Sequence, residues 1–450
     1  MNAFAGLRIS ILLIVASSFF SGAARANTNF LAGADFSDLA FFEARNITYK
    51  DNKQVQDGIQ ILKNHGINCI RLRLWTGSTA QVLTNNPYNY TNNLDYTMPL
   101  AVRVKNAGLL LALDFHYSDT WADPSHQALP LAWTNLTLAQ LVQQMRIYNS
   151  NTITAFAAAG AMPDYVQVGN EITPGMLWPL GQVNAYTSGG TQWTNLCQLI
   201  AAAIQGIKDA TNATGAKMPK IIIHIDRGGD WTTTMKYFDN LNAQGVPYDI
   251  IGESYYPFYH GSPASLSNCL NNAAARYGKP IIVAETAFPF TNNFPTDWTN
   301  HGASLYGYPP TPAGQVSFLA TVAEIVEGLT NHLGAGIFYW GTEYQAANGV
   351  NEAGFNTASF FDAGGNVLPA ASALGGTAAP LVITPSLAGT SLQLQWPFSG
   401  AASKLMTSTT LVPAVAWSVV TDSIQITGNV FTVLLPSSNN IATFYRLQSD

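Results

Sequence analysis

The sequence predicts an α/β chain folded as a (β/α)8 barrel, followed by a small all-β, sandwich-like domain. Three observations carry that expectation. A junction of helical period, glycine and short apolar strand recurs seven times between residues 54 and 341. The strands at these junctions are apolar nearly throughout, as parallel strands covered on both faces are. Beyond about residue 375 the pattern gives way to short strands broken by Gly, Pro and Asn.

The elements follow in order. "NFLAGADFS" (29–37) supplies the first strand. "QVQDGIQILKNHG", with Val55, Ile59 and Leu62 on one helical face, ends at Gly66 and feeds "INCIRLRLW". "VRVKNAG" ends at Gly108 and feeds "LLLALDFHY"; "TITAFAAAG" ends at Gly160 and leads to "DYVQVGNE". "AAAIQGIKDATNATG" ends at Gly215 and leads to "KIIIHID", with Leu196, Ile200, Ile204 and Ile207 on one face. Gly245, Gly278 and Gly334 close the last three helical runs before "YDIIGESYY", "KPIIVAET" and "AGIFYWG". A helix commonly stops on a left-handed residue, which glycine adopts without steric cost. Eight βα units point to a closed barrel. A doubly wound sheet would carry a glycine-rich phosphate loop after a strand, and Gly33-Ala34-Asp35 is not one.

The barrel is expected over 27–375, a short linker over 376–379 and the all-β domain over 380–450. Ahead of them, residues 1–26 read as a signal peptide: Arg8, an apolar run from Ile9 to Phe20, then Ala24-Arg25-Ala26. The expected location is therefore extracellular or periplasmic, with no membrane attachment after cleavage. A net charge of −6, with only 10% charged residues, leaves no electrostatic footprint for nucleic acid. Cys69, Cys197 and Cys269 are too few and too far apart for a disulfide framework and read as packing residues.

In a (β/α)8 barrel, chemistry gathers at the C-terminal strand ends. In order, those ends carry Asp35; Arg71, Arg73 and Trp75; His116 and Tyr117; Asn170 and Glu171; His224 and Asp226; Glu253 and Tyr255; Glu285; and Trp340. Glu171 ends the fourth strand and Glu285 the seventh, so they face each other across the mouth. Two carboxylates flanking a glycosidic bond are the minimum apparatus for its hydrolysis. Glu285 alone has a second reading, a buried acid paired with an arginine; the pair is harder to explain that way. Arg71 and Arg73 are two apart and share a face, where they would hold a carboxylate ionised. His116 and His224 have no metal-ligand spacing, so no catalytic metal or other cofactor is expected. Trp121, Trp178 and Trp340 are candidate sugar-stacking surfaces.

The segments "GADFSD", "RLRLW", "LDFHYSDTWADPSHQALPLAW", "VQVGNEITPGMLWPLG", "IIIHIDRGGD", "YDIIGESYYPFYHG" and "IIVAETAFPFT" together resemble the endo-β-1,4-galactanases of glycoside hydrolase family 53. The resemblance implies a retaining enzyme acting on β-1,4-galactan, with Glu171 as acid/base and Glu285 as nucleophile. It implies that Asn170 binds the sugar 2-hydroxyl and that Tyr255 hydrogen-bonds the nucleophile. It places His116, Asp119, Trp121 and Asp123 around the substrate, and an arginine of "RLRLW" behind the nucleophile. Asp35, Arg71, Arg73, Trp178, His224, Asp226 and Trp340 complete the expected substrate-binding set. A carboxyl separation of about 5–5.5 Å goes with retention. A structural calcium, held by some bacterial relatives, is possible in "TEYQAANGVNEAGFNTASFFD" but is not required for catalysis. The chain is expected to act as a monomer on polysaccharide. The other readings are a related glycanase for another β-1,4-glycan and a non-catalytic glycan-binding barrel.

Overall fold

The computed structural model describes residues 30–84, 91–187, 189–292, 305–347 and 354–374, together with most of 384–449. The signal peptide and the linker both lie outside the described residues.

Eight parallel strands close a barrel: β1 (Leu31–Asp35), β2 (Cys69–Leu74), β3 (Leu110–Phe115), β4 (Tyr165–Val168), β5 (Lys220–Ile225), β6 (Ile250–Ser254), β7 (Ile281–Thr286) and β8 (Gly334–Tyr339). Each pairs with its sequence neighbour, and β1 closes on β8. The lower interior is packed by Leu31, Cys69, Ala112, Ile222, Ile250, Ile282, Ala284 and Phe338. A Cβ on Gly33 would stand 2.2 Å from Cδ1 of Phe338. The phenyl ring therefore fills the space a side chain there would take, as close-packed interiors require. All three cysteines are buried free thiols.

The helices lie outside the barrel: α1 (Gly58–Asn64), α2 (Leu94–Asn106), α3 (Leu138–Ala158), α4 (Thr191–Thr214), α5 (Trp231–Ala243), α6 (Pro263–Tyr277) and α7 (Pro312–Glu327). Six of the seven junction glycines have positive φ. Gly334 does not; it is needed because a Cβ would lie 1.7 Å from the Val326 carbonyl oxygen. One expectation fails here. Val55 is on no helix: residues 54–56 pair with 49–51 as a hairpin and leave Val55 exposed. The helix begins only at Gly58, where Asp57 accepts the Gln60 N–H and caps it. Among the described residues no helix is long and apolar enough to cross a membrane.

Helices α3 and α4 touch at Gly206, where a Cβ would lie 2.2 Å from the Arg146 carbonyl oxygen. Gly206→Ala tests that approach. Propensity alone would favour alanine by about 1 kcal/mol. The clash reverses the sign, to a loss of about 1–3 kcal/mol in urea unfolding.

In the C-terminal segment β9 (Thr384–Ala388), β10 (Ser391–Pro397), β11 (Ser403–Ser408), β12 (Ser418–Val419), β13 (Gln425–Thr427), β14 (Val430–Pro436) and β15 (Phe444–Ser449) form two antiparallel sheets, ordered β9-β10-β14-β13 and β12-β11-β15. Leu394, Trp396, Val433 and Leu435 of one sheet share a core with Leu405 of the other and with Val420. This is a small sandwich.

Candidate active site

Strand register assembles the mouth. Asp35 lies beside Arg71, Arg73 beside Asp114, and Asp114 beside Gln167. Gly252 lies beside His224, and Ser254 beside Glu285. The last pairing is irregular. Glu253 pairs with Val283 but Ser254 with Glu285, so Ala284 is an extra residue in β7. Ala284 packs in the barrel interior, and strict alternation would turn its neighbour outward. The bulge instead aims Glu285 into the mouth.

Arg71 is the hub. Its guanidinium reaches Asp35 Oδ2, Asp114 Oδ2 and Glu285 Oε1, each at 2.9 Å. It also donates to Asn170 Oδ1 (2.8 Å) and Gln167 Oε1 (3.2 Å). Burial works against its charge, but Asp114, Glu285 and Asp35 hold it protonated. Burial raises the Glu285 carboxyl above its ordinary value, and Arg71 opposes that rise. The Tyr256 hydroxyl donates to Glu285 Oε2 at 2.9 Å.

Glu171 has different company. Its Oε1 accepts the Ser254 hydroxyl at 2.6 Å, and among the described residues no cation pairs with it. Burial pushes its carboxyl well above the ordinary range, and the negative charges of Glu285 and Asp226 add to that. Burial and the neighbouring negative charges thus favour the protonated form of Glu171, whereas Arg71 favours the ionised form of Glu285. Glu171 also has a φ of 47°, a left-handed conformation that costs a non-glycine residue of order 1–3 kcal/mol and clusters at active sites.

Asn170 is tied from several sides. Its Nδ2 donates to the Ala122 carbonyl (2.7 Å), and its backbone carbonyl accepts Gln127 Nε2 (2.8 Å). His116 holds the same loop: Nδ1 accepts the Ala122 N–H (2.8 Å) while Nε2 faces Asp114 (3.1 Å). Trp121 lies over Arg73, 4.1 Å from guanidinium carbon to ring centroid, and Trp340 stands 6.0 Å from Trp121. Both indoles are half-buried, as is Trp178.

Several expected residues do other work. Arg73 makes no ion pair with Glu285; it bonds Asp38 at 2.5 Å and lies 3.7 Å from Asp35. Asp119 accepts the Leu131 N–H (2.7 Å), and Asp123 accepts the Ser125 N–H and faces His126, so both brace their own loop. Asp226 is bonded to Thr173 and pairs with Arg227 at 3.2 Å. Tyr255 does not reach the nucleophile position. Its hydroxyl donates to the Gly261 carbonyl and its ring stacks on Phe318 of α7. The reason is alternation: Ser254 and Tyr256 share the inner side, and Tyr255 faces out. Ser254, Tyr256, Gln167 and Asp114 are the site residues that strand-end reading missed; counting back by two from His116 would have flagged Asp114.

The segment with calcium-type oxygens is a poor fit in its described part. Glu343 is buried and accepts the Asp38 N–H, and Asp362 accepts the N–H groups of Gly364 and Asn366. Residues 348–353 lie outside the described residues.

A family model described as "Glycosyl hydrolase family 53" matches residues 31–374. A probable arabinogalactan endo-beta-1,4-galactanase A of Aspergillus terreus is 38% identical over 316 residues, 68% of this chain and 84% of the relative. An arabinogalactan endo-beta-1,4-galactanase of Humicola insolens is 36% identical over 315 residues, 68% of this chain and 88% of the relative. Among solved structures, the Ignisphaera aggregans GH53 catalytic domain superposes with a TM-score of 0.70 at 32% identity, covering 77% of this chain and 95% of that one.

Proposed function

The chain belongs to glycosyl hydrolase family 53 and is a glycoside hydrolase; from that premise we propose a secreted, endo-acting, retaining galactanase that cleaves β-1,4-galactosidic bonds in galactan and type I arabinogalactan. The observation that carries the chemistry is the opposite partnering of two carboxyls: Glu285, buried, on Arg71, and Glu171, half-buried, on a hydroxyl with no cation beside it among the described residues. The galactan substrate is brought by the relatives' activities.

Glu285 attacks the anomeric carbon while Glu171 gives its proton to the bridging oxygen. The C–O bond to the leaving chain breaks and a galactosyl–Glu285 ester forms. Glu171, now ionised, takes a proton from water, whose oxygen attacks the same carbon and releases Glu285. Once Glu285 is esterified its negative charge is gone, which removes one cause of the raised Glu171 pKa and suits Glu171 to act as base. Asn170 keeps one Nδ2 hydrogen beyond its bond to Ala122 and is assigned to the 2-hydroxyl. Trp121, Trp178 and Trp340 offer ring faces to neighbouring sugars. His116, Asp119 and Asp123 shape the loop that carries Trp121.

Reducing-sugar release from galactan, with little from cellulose or mannan, tests the substrate. Release from another β-1,4-glycan instead would assign the chain to that polymer, and binding without turnover would make it a glycan-binding barrel. Following the first-formed anomer by NMR tests retention. The two carboxyls supply acid and nucleophile between them, so no cofactor is invoked; activity after exhaustive chelation checks this. N-terminal sequencing of the exported protein and light scattering check secretion and the monomeric state.

A bell-shaped pH profile is expected. Activity falls on the acid side as Glu285 gains a proton. It falls on the alkaline side as Glu171 loses one, at a pH well above an ordinary carboxyl pKa because burial raises it. Measuring kcat/KM across pH checks this, and an alkaline limb at an ordinary glutamate pKa would remove Glu171 as the acid.

A further inference from the structure

The bonds around Glu171 have a direction that can be read from fixed donors. Arg71 Nε–H donates to Gln167 Oε1, which settles the orientation of that amide. Gln167 Nε2 then donates to Asp114 Oδ1 at 2.5 Å and faces His224 Nδ1 at 3.0 Å. Asn170 Oδ1 also lies 3.1 Å from Nδ1, but it already accepts from Arg71 at 2.8 Å and faces Gln167 Nε2 at 3.1 Å. The Glu171 backbone N–H, whose direction is fixed, points at Nδ1 at 3.4 Å, which makes Nδ1 an acceptor and leaves His224 its proton on Nε2. That N–H meets Ser254 Oγ at 2.8 Å. Ser254, accepting from His224, turns its own hydrogen to Glu171 Oε1. Burial, with Arg71 adding to it, keeps His224 neutral, so only one ring nitrogen carries hydrogen.

We propose that Ser254 and His224 are positioning residues that choose which oxygen of Glu171 carries the catalytic proton: Oε1 is occupied by the serine O–H, so the proton is confined to Oε2. The inference rests on Glu171 being the acid/base. A carboxylic acid has two oxygens and only one can point at the leaving group; a proton on the wrong one is lost to catalysis. The chain of bonds runs Arg71, Gln167, His224, Ser254, Glu171, and the same Arg71 binds Glu285. One guanidinium therefore orients both carboxyls, the nucleophile directly and the acid through three side chains.

The test is Ser254→Ala, with Ser254→Thr as the conservative variant. For galactan, whose leaving group needs the proton, kcat/KM is expected to fall about 10- to 100-fold in the alanine variant. For an aryl galactobioside with a dinitrophenolate leaving group, which departs unprotonated, kcat/KM is expected to change less than about 3-fold. Threonine keeps the hydroxyl and is expected to restore galactan cleavage to within about 3-fold. The alkaline limb of the alanine variant is expected to move to higher pH, because a bond donated to the carboxylate favours ionisation and has been removed. The other groups facing Glu171 are Glu285 on β7, His224 and Asp226 at the end of β5, Asp123 in the loop after β3 and Tyr256 after β6; all are retained in both variants. Equal loss on both substrates, no loss on galactan, no rescue by threonine or an unmoved alkaline limb would each overturn the proposal. Glu171→Gln separates the two readings. If it too loses equally on both substrates, Glu171 is not the acid; if it loses selectively on galactan while Ser254→Ala does not, only the role of Ser254 and His224 is wrong.

Discussion

Glu285→Gln is expected to lower kcat on galactan by at least about 10⁴-fold, the scale on which enzymes lose rate when a covalent nucleophile is removed. The fold is expected to survive. The neutral amide leaves Arg71 paired with Asp35 and Asp114, both at 2.9 Å, so the guanidinium is not stranded. The Tyr256 hydroxyl can still donate, to the amide carbonyl oxygen. Galactan binding by calorimetry and the thermal unfolding curve should therefore stay close to those of the parent while turnover collapses. Turnover within about tenfold of the parent would show that Glu285 is not the nucleophile. It would return the residue to the role of a buried acid paired with an arginine.

The second large effect is at Arg71. Arg71→Ala leaves Asp35, Asp114 and Glu285 gathered in one buried place without their shared cation. Removing one member of a buried ion pair costs about 3–5 kcal/mol, and three acids share this partner. The expected result is a strongly destabilised and inactive protein, read by urea unfolding and galactan hydrolysis. Arg71→Lys is more informative. It keeps the charge but not the planar fork that serves Asp35, Asp114, Glu285, Asn170 and Gln167 together. Stability should recover in part while activity stays down on the order of 10²-fold, because the carboxyls lose their alignment. Arg73→Lys is the contrast. Arg73 bonds Asp38 and underlies Trp121, so its loss disturbs the aromatic wall and leaves the nucleophile's ion pair intact.

Arg71 and Arg73 look alike in "RLRLW", and the two-residue period puts both on the inner face. What separates them is height in the barrel. Arg71 lies level with Asp35, while Arg73 lies level with Asp114 and reaches up to Asp38. Tyr255 and Tyr256 differ by one residue, and one residue is a change of face. The hydroxyl on Glu285 is Tyr256's, and no local pattern in "ESYYPF" says which tyrosine points in. Ser254 carried no signal because an isolated serine at a strand end is ordinary. Its meaning comes from His224 on one side and Glu171 on the other, residues 30 and 83 positions away.

The barrel, the order of its strands and the roster of polar residues at their ends are written along the chain. Those follow from local rules: helical and strand periodicity, glycines where helices stop, and apolar strands that need cover on both faces. The tertiary structure alone decided which of those residues meet. The extra residue at Ala284 rotates Glu285 inward, and it exists only in the pairing of β6 with β7, a long-range register that neither strand specifies alone. Side-chain alternation has a period of two, so one irregularity in closing the barrel settles on which side of the wall a carboxylate stands.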